Sequence, residues 1–264
     1  MLKRLQIKSV LNNDYVGKVI VVCGWVKTFR SNRFINLNDG SCLSDLQCVV
    51  DYEKLDQSKL SKINTGACLE VEGEIVKSQG RGQSVELIAN NINVLGESDP
   101  EKFPIQPKKH SFEFLRENAH LRVRTKTLSS VFRIRSEVSF AIHNFFNKNN
   151  FYYIHTPIIT GSDAEGAGEM FKVTTLDSKK KNLDYSEDFF GKETNLTVSG
   201  QLEAESMAMG LGNVYTFGPT FRAENSNTSR HLSEFWMIEP ETVSYTHLRA
   251  HETRHDLVCR LLLE

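Results

Sequence analysis

The sequence has no long hydrophobic run, no paired cysteine motif and no marked excess of charge of either sign. No apolar stretch approaches the roughly 20 residues that a membrane-spanning helix needs. The first residues lack the apolar segment of a signal peptide, so we expect a cytoplasmic protein without a membrane partner. The five cysteines form no Cys-x-x-Cys pair, and reduced thiols are expected in that compartment. A net charge of −1 excludes a global attraction to nucleic acid, so any such binding must come from local patches.

What the sequence does contain is enough apolar material for two domains, with 39 % hydrophobic residues in a chain of 264. Residues 1–96 hold five short runs rich in β-branched residues, separated by turn signals, and a helical pattern at 52–63 follows the third run. Five strands with a helix after the third are typical of an OB-fold barrel, which often binds single-stranded nucleic acid. The predicted strands are 18–26, 33–37, 46–51, 68–76 and 84–94.

A linker at 97–124 separates this all-β domain from a second region. Three prolines and many charges at 96–109 predict an extended connection. Apolar residues at helical spacing predict a long amphipathic helix at 125–149, and a strand interrupted by Pro157 follows it. Residues 125–241 therefore form an α+β domain.

Two segments of this domain suggest a substrate pocket. The loop at 160–171 is rich in small residues and carries Glu165, whose carboxylate can meet an ammonium group. A strand then runs into a helix near Ser199, which we expect to cap the helix. Gln201 and Ala204 lie three residues apart, so the first helical turn is expected to present both on one face.

The most informative stretch reads as two antiparallel strands, 214–222 and 234–238, joined by a polar loop. Arg222 and Glu224 are two residues apart, so their side chains are expected on the same face, with Arg230 and His231 in the loop above it. Neighbouring residues alternate in direction, so only one of the two aromatics at 235 and 236 can share that face, and the other should join the core. Cations, a carboxylate and a ring together suit a nucleoside triphosphate.

This stretch resembles motif 2 of the class II aminoacyl-tRNA synthetases, within the aspartyl, asparaginyl and lysyl subgroup and closest to its asparaginyl members. The resemblance implies that Arg222 holds the α-phosphate of ATP and that Glu224 lies by the adenine and the amino acid, so both are expected to be catalytic. It also implies that Arg230 and His231 approach the outer phosphates and that Phe235 lies under the adenine.

The same resemblance implies an amino-acid site at Glu165, Ser199, Gln201 and Ala204. Aspartyl members carry a lysine at the position of Ala204, where it pairs with the aspartate side chain. Without that cation an acidic substrate is disfavoured, so neutral asparagine is the expected amino acid.

For the barrel, the resemblance implies an anticodon site at Phe34, Gln47 and Glu86. Aromatic rings stack on unpaired bases, whereas amides and carboxylates read base edges. From the residues alone, burial in the core is an equally open interpretation of Phe34 and of the nearby Phe29. The helix at 125–149 and the strand after it resemble motif 1, which implies a homodimer interface.

The resemblance ends near Glu241, and residues 242–264 are expected to form a tail outside the family. Motif 3 is not present, so we expect a partial class II antiparallel-sheet domain that folds poorly and activates no amino acid by itself. Its Mg²⁺ ligands are expected beyond this sequence. The complete enzyme would use ATP to join asparagine to its tRNA. The alternatives are an aspartyl-tRNA synthetase, possibly a non-discriminating one, and a free-standing OB-fold module that binds nucleic acid.

A second pattern in the tail matches the zinc-protease sequence His-Glu-x-x-His, at residues 251–255. Two histidines four residues apart on a helix can bind zinc, with the glutamate as base. Only nine residues follow His255 (264 − 255), which leaves little room for a third ligand. We therefore expect no metal site there.

Overall fold

The computed structural model describes residues 3–51, 53, 56–80, 82–163, 170–177, 179, 182–224 and 231–243. The chain divides into two compact units, Met1–Glu137 and Val138–Glu264, and each is described by itself. The predicted domain boundaries at residues 96, 124 and 241 stay predictions. Within the described ranges, no helix has both the length and the apolar character needed to cross a membrane.

The first unit is built on a closed barrel. Strand β2 pairs with both β3 and β5, so the order β2-β3-β4-β6-β5 returns to β2, with β4 and β6 parallel. This confirms the predicted five-stranded OB-fold. The elements are β1 (Arg4–Leu5), α1 (Ile7–Asn12), β2 (Val19–Arg30), β3 (Phe34–Asn38), β4 (Leu46–Val49), α2 (Gln57–Leu60), β5 (Cys68–Lys77), β6 (Val85–Gly96), α3 (Phe112–Glu117) and a 3₁₀ helix (Arg122–Arg124).

Alternation along the strands fills the barrel with apolar side chains. Ile35 and Leu37 of β3 and Leu87 of β6 are fully buried, and burial raises the pKa of the Cys48 thiol to about 12. Strand β1 and helix α1 were not predicted. Helix α1 adds Ile7 to the same core.

The predicted helix at 52–63 is shorter in the structure, where α2 covers Gln57–Leu60. Leu60 and Ile63 are buried, with 4 % and 3 % of their surface exposed. The apolar spacing therefore indicated correctly which residues pack in the core, although the regular helix is short. Leu55, which belongs to the same predicted pattern, lies outside the described residues.

In the second unit, helix α4 matches its prediction to within one residue at each end, and the predicted antiparallel hairpin is confirmed as β11 and β12. Two sheets of three strands have the orders β8-β10-β9 and β12-β11-β7. The elements are α4 (Lys126–Lys148, which spans the division between the units), β7 (Tyr152–Tyr153), β8 (Ile159–Thr160), β9 (Lys172–Val173), a 3₁₀ helix (Tyr185–Glu187), β10 (Thr194–Leu196), α5 (Gln201–Leu211), β11 (Asn213–Phe221) and β12 (Glu234–Thr242).

The β11–β12 hairpin has a helix on each face. Helix α5 packs Ala204 and Ala208 against Val214 of β11. The next residue, Tyr215, points the other way, and its hydroxyl lies 2.6 Å from Nδ1 of His143 in α4. Strand alternation thus separates the α5 face of the hairpin from its α4 face.

Gly73 of β5 lies directly against the backbone of β6. A Cβ atom there would lie 2.1 Å from the carbonyl oxygen of Ile88, whereas a Cβ at Gly96 would be no closer than 3.7 Å to Cys68. We predict that Gly73→Ala lowers the free energy of unfolding of the first unit by about 1–3 kcal/mol through overpacking. Gly96→Ala serves as the matched control and is expected to be nearly neutral.

The measurement is denaturant unfolding followed by the fluorescence of Trp25 in a Trp236→Phe background, which leaves one of the two tryptophans. Equal stability of the Gly73 and Gly96 variants would contradict the close approach of β5 and β6.

Candidate functional site

The three residues predicted to read the anticodon line a single cleft of about 630 Å³ in the first unit. Phe34 lies on β3, Gln47 on β4 and Glu86 on β6. The side-chain amide of Gln47 donates a hydrogen bond of 3.3 Å to Oε1 of Glu86. The structure therefore brings an aromatic ring, an amide and a carboxylate together on the outer surface of the barrel.

Neighbouring side chains hold Glu86 in place. The Ser78 hydroxyl and the Gln83 amide donate to the same Oε1 atom at 2.5 and 2.7 Å. A carboxylate with three donors is well oriented and keeps further lone pairs for a ligand. These donors were not predicted, because they become neighbours only through the β5–β6 turn.

Phe34 is half-buried and lies outside the apolar core cluster, whereas Phe29 packs against that cluster. Of the two open interpretations, core packing thus applies to Phe29. The guanidinium of Arg33 lies 5.6 Å from the centre of the Phe34 ring. Arg33 and Lys77 line the cleft and were missed in the sequence, although a basic residue beside an aromatic ring is a recognisable signal for nucleic acid.

In the second unit, Arg222 lies on the α5 face of the hairpin. It directly follows β11, and its backbone N–H donates to the carbonyl of Ser233 at 3.0 Å, which continues the strand pairing by one residue. Its guanidinium carbon lies 5.6 Å from the centre of the Phe235 ring, and Nη2 is 4.0 Å from Sδ of Met237. Phe235 is therefore the aromatic that shares a face with Arg222.

The expectation that the second aromatic joins the core is wrong. Trp236 points to the opposite face, where its ring lies 5.2 Å from that of Phe217, but 48 % of its surface is exposed. Strand alternation was anticipated correctly, whereas the depth of packing on the second face was not. The burial of Trp236 depends on how much of this face of the hairpin α4 covers.

Several of the other predicted ATP contacts are not assembled in the described structure. Strand β11 ends at Phe221, so Glu224 lies past the strand and is exposed, and the strand alternation on which the expected same-face arrangement with Arg222 rested does not extend to Glu224. His231 is exposed before the return strand. Arg230 and Glu165 lie outside the described residues.

A carboxylate that the sequence analysis missed organises the start of α5. Glu239 of β12 accepts hydrogen bonds from the Ser199 hydroxyl, from the Gly200 backbone N–H at 3.0 Å and from the Thr216 hydroxyl at 3.0 Å. Ser199 is 1 % exposed, and its oxygen accepts from the Gln201 N–H at 3.1 Å. The helix cap is Gly200, one residue later than expected, because the Ser199 hydroxyl is directed to Glu239.

The space around Gly200 excludes a larger residue. A Cβ atom there would lie 2.9 Å from the Thr156 hydroxyl and 3.1 Å from Thr216. A small cavity of about 140 Å³ adjoins this point and is lined in part by Gly200, Thr197 and Glu239. The dimensions suit one small polar group.

Gln201 and Ala204 do not share a surface, contrary to expectation. Gln201 is exposed and its amide donates to Glu205 at 2.9 Å. Ala204 is completely buried against Ala208 and Val214. Helix α5 packs the side that carries Ala204 and Ala208 on the sheet, whereas Gln201 lies on the exposed side of the helix.

An OB-fold barrel with a cleft lined by a ring, an amide and a carboxylate, together with a hairpin that sets an arginine over a phenylalanine, is the combination expected of a class of proteins that bind RNA and a nucleotide. Residues 20–95 match the OB-fold nucleic acid binding domain, and residues 111–264 match the family described as tRNA synthetases class II (D, K and N). The chain belongs to this family. The resemblance found in motif 2 is thereby confirmed.

Within the family, similarity is high to asparagine–tRNA ligases. The ligase of Cytophaga hutchinsonii is 56 % identical over 255 residues, covering 92 % of this chain and 55 % of the relative. That of Treponema denticola is 51 % identical over 277 residues, covering 97 % and 59 %. The chain thus spans little more than half the length of these curated relatives.

A solved structure shows the same architecture. The asparaginyl-tRNA synthetase from Pyrococcus horikoshii complexed with asparaginyl-adenylate superposes with a TM-score of 0.77 at 26 % identity, covering 92 % of this chain and 53 % of that one. The predicted combination of an OB-fold barrel and a class II sheet is therefore confirmed.

The Glu239 network makes a prediction about stability. Glu239→Ala leaves the donors of Ser199, Gly200 and Thr216 without their acceptor, which should lower the free energy of unfolding of the second unit by about 2–4 kcal/mol. Glu234, an exposed carboxylate on the same strand, provides the control variant Glu234→Ala, which should cost less than about 0.5 kcal/mol.

Denaturant unfolding monitored by Trp236 fluorescence in a Trp25→Phe background measures this difference, and amide exchange at Gly200 gives a local readout. Unchanged exchange at Gly200 in the Glu239 variant would show that the carboxylate does not hold this turn.

Proposed function

We propose that the chain carries the anticodon-reading domain and the ATP- and asparagine-binding part of the catalytic domain of an asparagine–tRNA ligase. The observation that carries this proposal is the α5 face of the β11–β12 hairpin, where the Arg222 guanidinium lies over the Phe235 ring and Glu239, farther along the same face, bonds to the turn before α5. The high identity to asparagine–tRNA ligases supports it.

The reaction of the complete protein needs no protein nucleophile. The asparagine carboxylate attacks the α-phosphate of ATP, which forms asparaginyl-adenylate and releases pyrophosphate. A terminal ribose hydroxyl of the tRNA then takes the acyl group and releases AMP. Side chains act by positioning the reactants and by neutralising charge. Arg222 is suited to the charge that develops on the α-phosphate, and the Phe235 ring offers a flat surface to the adenine.

Glu239 and Ala204 favour asparagine over aspartate. A carboxylate beside the first turn of α5 accepts an N–H bond from a side-chain amide and repels a second carboxylate. Ala204 supplies no cation to offset that repulsion. The aspartyl alternative is therefore disfavoured by geometry as well as by residue type.

The other catalytic contacts remain proposals. Glu165 and Gln201 belong to the proposed amino-acid site, and Glu224, Arg230 and His231 belong to the proposed ATP site. Magnesium is also part of the proposal. Among the described residues, no three His, Cys, Asp or Glu side chains are grouped to hold a metal ion, so its ligands are expected elsewhere in the complete enzyme.

The barrel cleft is proposed to bind the anticodon of the asparagine tRNA. Phe34 offers a ring for stacking, and Gln47 and Glu86 present an amide and a carboxylate to base edges. Arg33 and Lys77 lie where they can meet backbone phosphates. This arrangement supports specific binding despite a net charge of −1.

A homodimer in the cytoplasm completes the proposal. Helix α4 has no buried residue, and Val138 and Phe145, which are seven residues apart and so share one side of the helix, are exposed at 50 and 62 %. Tyr152 of the following strand is exposed at 61 %. An apolar surface of this kind is typical of a subunit interface.

Replacing Arg222 tests the catalytic part of the proposal. In the chain completed with the C-terminal part of the Cytophaga relative, Arg222→Ala should reduce asparagine-dependent pyrophosphate exchange by about 100- to 1,000-fold, as expected for losing one preorganised charge contact. Binding of tRNA should be unchanged. Arg116→Ala, at an exposed position on α3, is the control. Exchange that responds to aspartate more strongly than to asparagine would refute the substrate assignment.

Replacing Phe34 tests the anticodon cleft. Phe34→Ala should weaken binding of an asparagine anticodon stem-loop to the 264-residue chain by about tenfold, the effect of losing one stacked base. Leu95→Ala removes an exposed apolar side chain of β6 and is the control. Fluorescence anisotropy of a labelled RNA measures the difference, and equal affinities of the two variants would place the anticodon elsewhere.

A further inference from the structure

The first unit contains a second cleft, of about 800 Å³, that the proposed function does not use. One wall is strand β2 of the barrel, with Trp25, Lys27 and Thr28. The other wall is formed by residues 103–127. No residue lines both this cleft and the one at Phe34.

The lining of this second cleft is strongly cationic. Among the described residues of this lining, Asp45 is the one carboxylate, and it forms an ion pair with Lys126 at 3.6 Å. The remaining cations have no acidic partner in the lining and therefore leave a local positive excess, although the whole chain has a net charge of −1. The lysine and arginine residues of the lining are Lys27, Lys108, Lys109, Arg124 and Lys126.

A β-bulge directs Lys27 into the cleft. The pairing of β2 with β3 steps from Val26 to Thr28 while the partner advances by one residue, so Lys27 is the extra residue. Bulges of this kind re-aim side chains and often lie beside binding sites. Burial lowers the pKa of Lys27, the nearby Arg124 and Lys126 lower it further, and Asp45 opposes them. An anion in the cleft would relieve this repulsion.

Aromatic rings and a polar atom complete the lining. The Arg124 guanidinium lies 4.8 Å from the centre of the Trp25 ring and 5.7 Å from that of Phe103. Phe103 is fixed because its ring lies against Gly66, where a Cβ would approach it to 2.8 Å. Among the described residues, the buried Thr28 hydroxyl has no hydrogen-bond partner. This oxygen is enclosed by protein atoms, so the charged contacts for a ligand come from the cations of the lining.

We propose that this cleft binds a phosphate group, carried by a nucleotide or by a nucleic-acid strand, through Lys27 and the rim lysines. Phosphate carries negative charge and several acceptor oxygens, and both complement the positively charged donors of this lining. The site is separate from the proposed ATP and anticodon sites and does not rest on either of them. This proposal is unaffected by whether Arg222→Ala abolishes amino-acid activation or leaves it unchanged.

The test uses Trp25 as a reporter inside the cleft, in the full chain with Trp236→Phe. Its fluorescence is titrated at constant ionic strength with inorganic phosphate, AMP and a mixed-sequence ribo-oligonucleotide. We expect a saturable change that Lys27→Gln weakens by about tenfold, the effect of losing one charge-assisted hydrogen bond. Lys62→Gln, which removes an exposed lysine paired with Glu97, should have no effect.

Two further variants keep the outcome clear. Lys108→Gln alters an exposed residue on the rim and should weaken binding even if Lys27→Gln perturbs the barrel. Leu95→Ala, which alters an exposed residue outside the lining of this cleft, should leave the Trp25 response to the oligonucleotide intact. A response to AMP supports a nucleotide as the ligand, and a response to the oligonucleotide alone supports a strand.

No saturable response to any of the three probes would overturn the proposal. Equal weakening by Lys62→Gln and Lys108→Gln would also overturn it, because that result indicates general attraction of charge without a defined site.

Discussion

Both candidate sites depend on the alternation of side chains along paired β-strands. In the barrel, Gln47 and Glu86 face outwards because their neighbours Cys48 and Leu87 fill the core. In the hairpin, Phe235 and Glu239 share a face because Trp236 and Ile238 point to the other. A shift of one residue would exchange the two faces. The buried apolar residues thus specify the register, and the register places the polar groups.

Glu239 shows how one side chain connects separate parts of the second unit. It joins β12 to Thr216 of β11 and to the turn before α5, through three hydrogen bonds. Its negative charge also lies at the N-terminal end of α5, where the partial charge of the helix is positive. The same carboxylate can therefore hold the start of the helix and select a neutral amide. Structural and chemical roles coincide because the helix start and the proposed substrate lie at one place.

Local sequence patterns predicted the regular elements well where the pattern was long. The period of α4 and the alternation in β2 and β11 persist over nine or more residues, so their type was clear. Short elements such as β1 and α2 were missed or extended, because two to four residues carry too little periodicity. The end of β11 at Phe221 was also not apparent, and this misplaced Glu224.

The sequence by itself determined the barrel, the hairpin and the family, because each of these depends on periodicity or on a motif within one segment. The residues that meet in the Phe34 cleft were named through the resemblance to that family. Only the tertiary structure decided that Ala204 is buried, that Ser199 bonds to Glu239 and that Lys27 and Arg124 share a cleft. These contacts join residues about 40 to 100 positions apart. Such pairs depend on how strands and helices pack, and no local pattern encodes them.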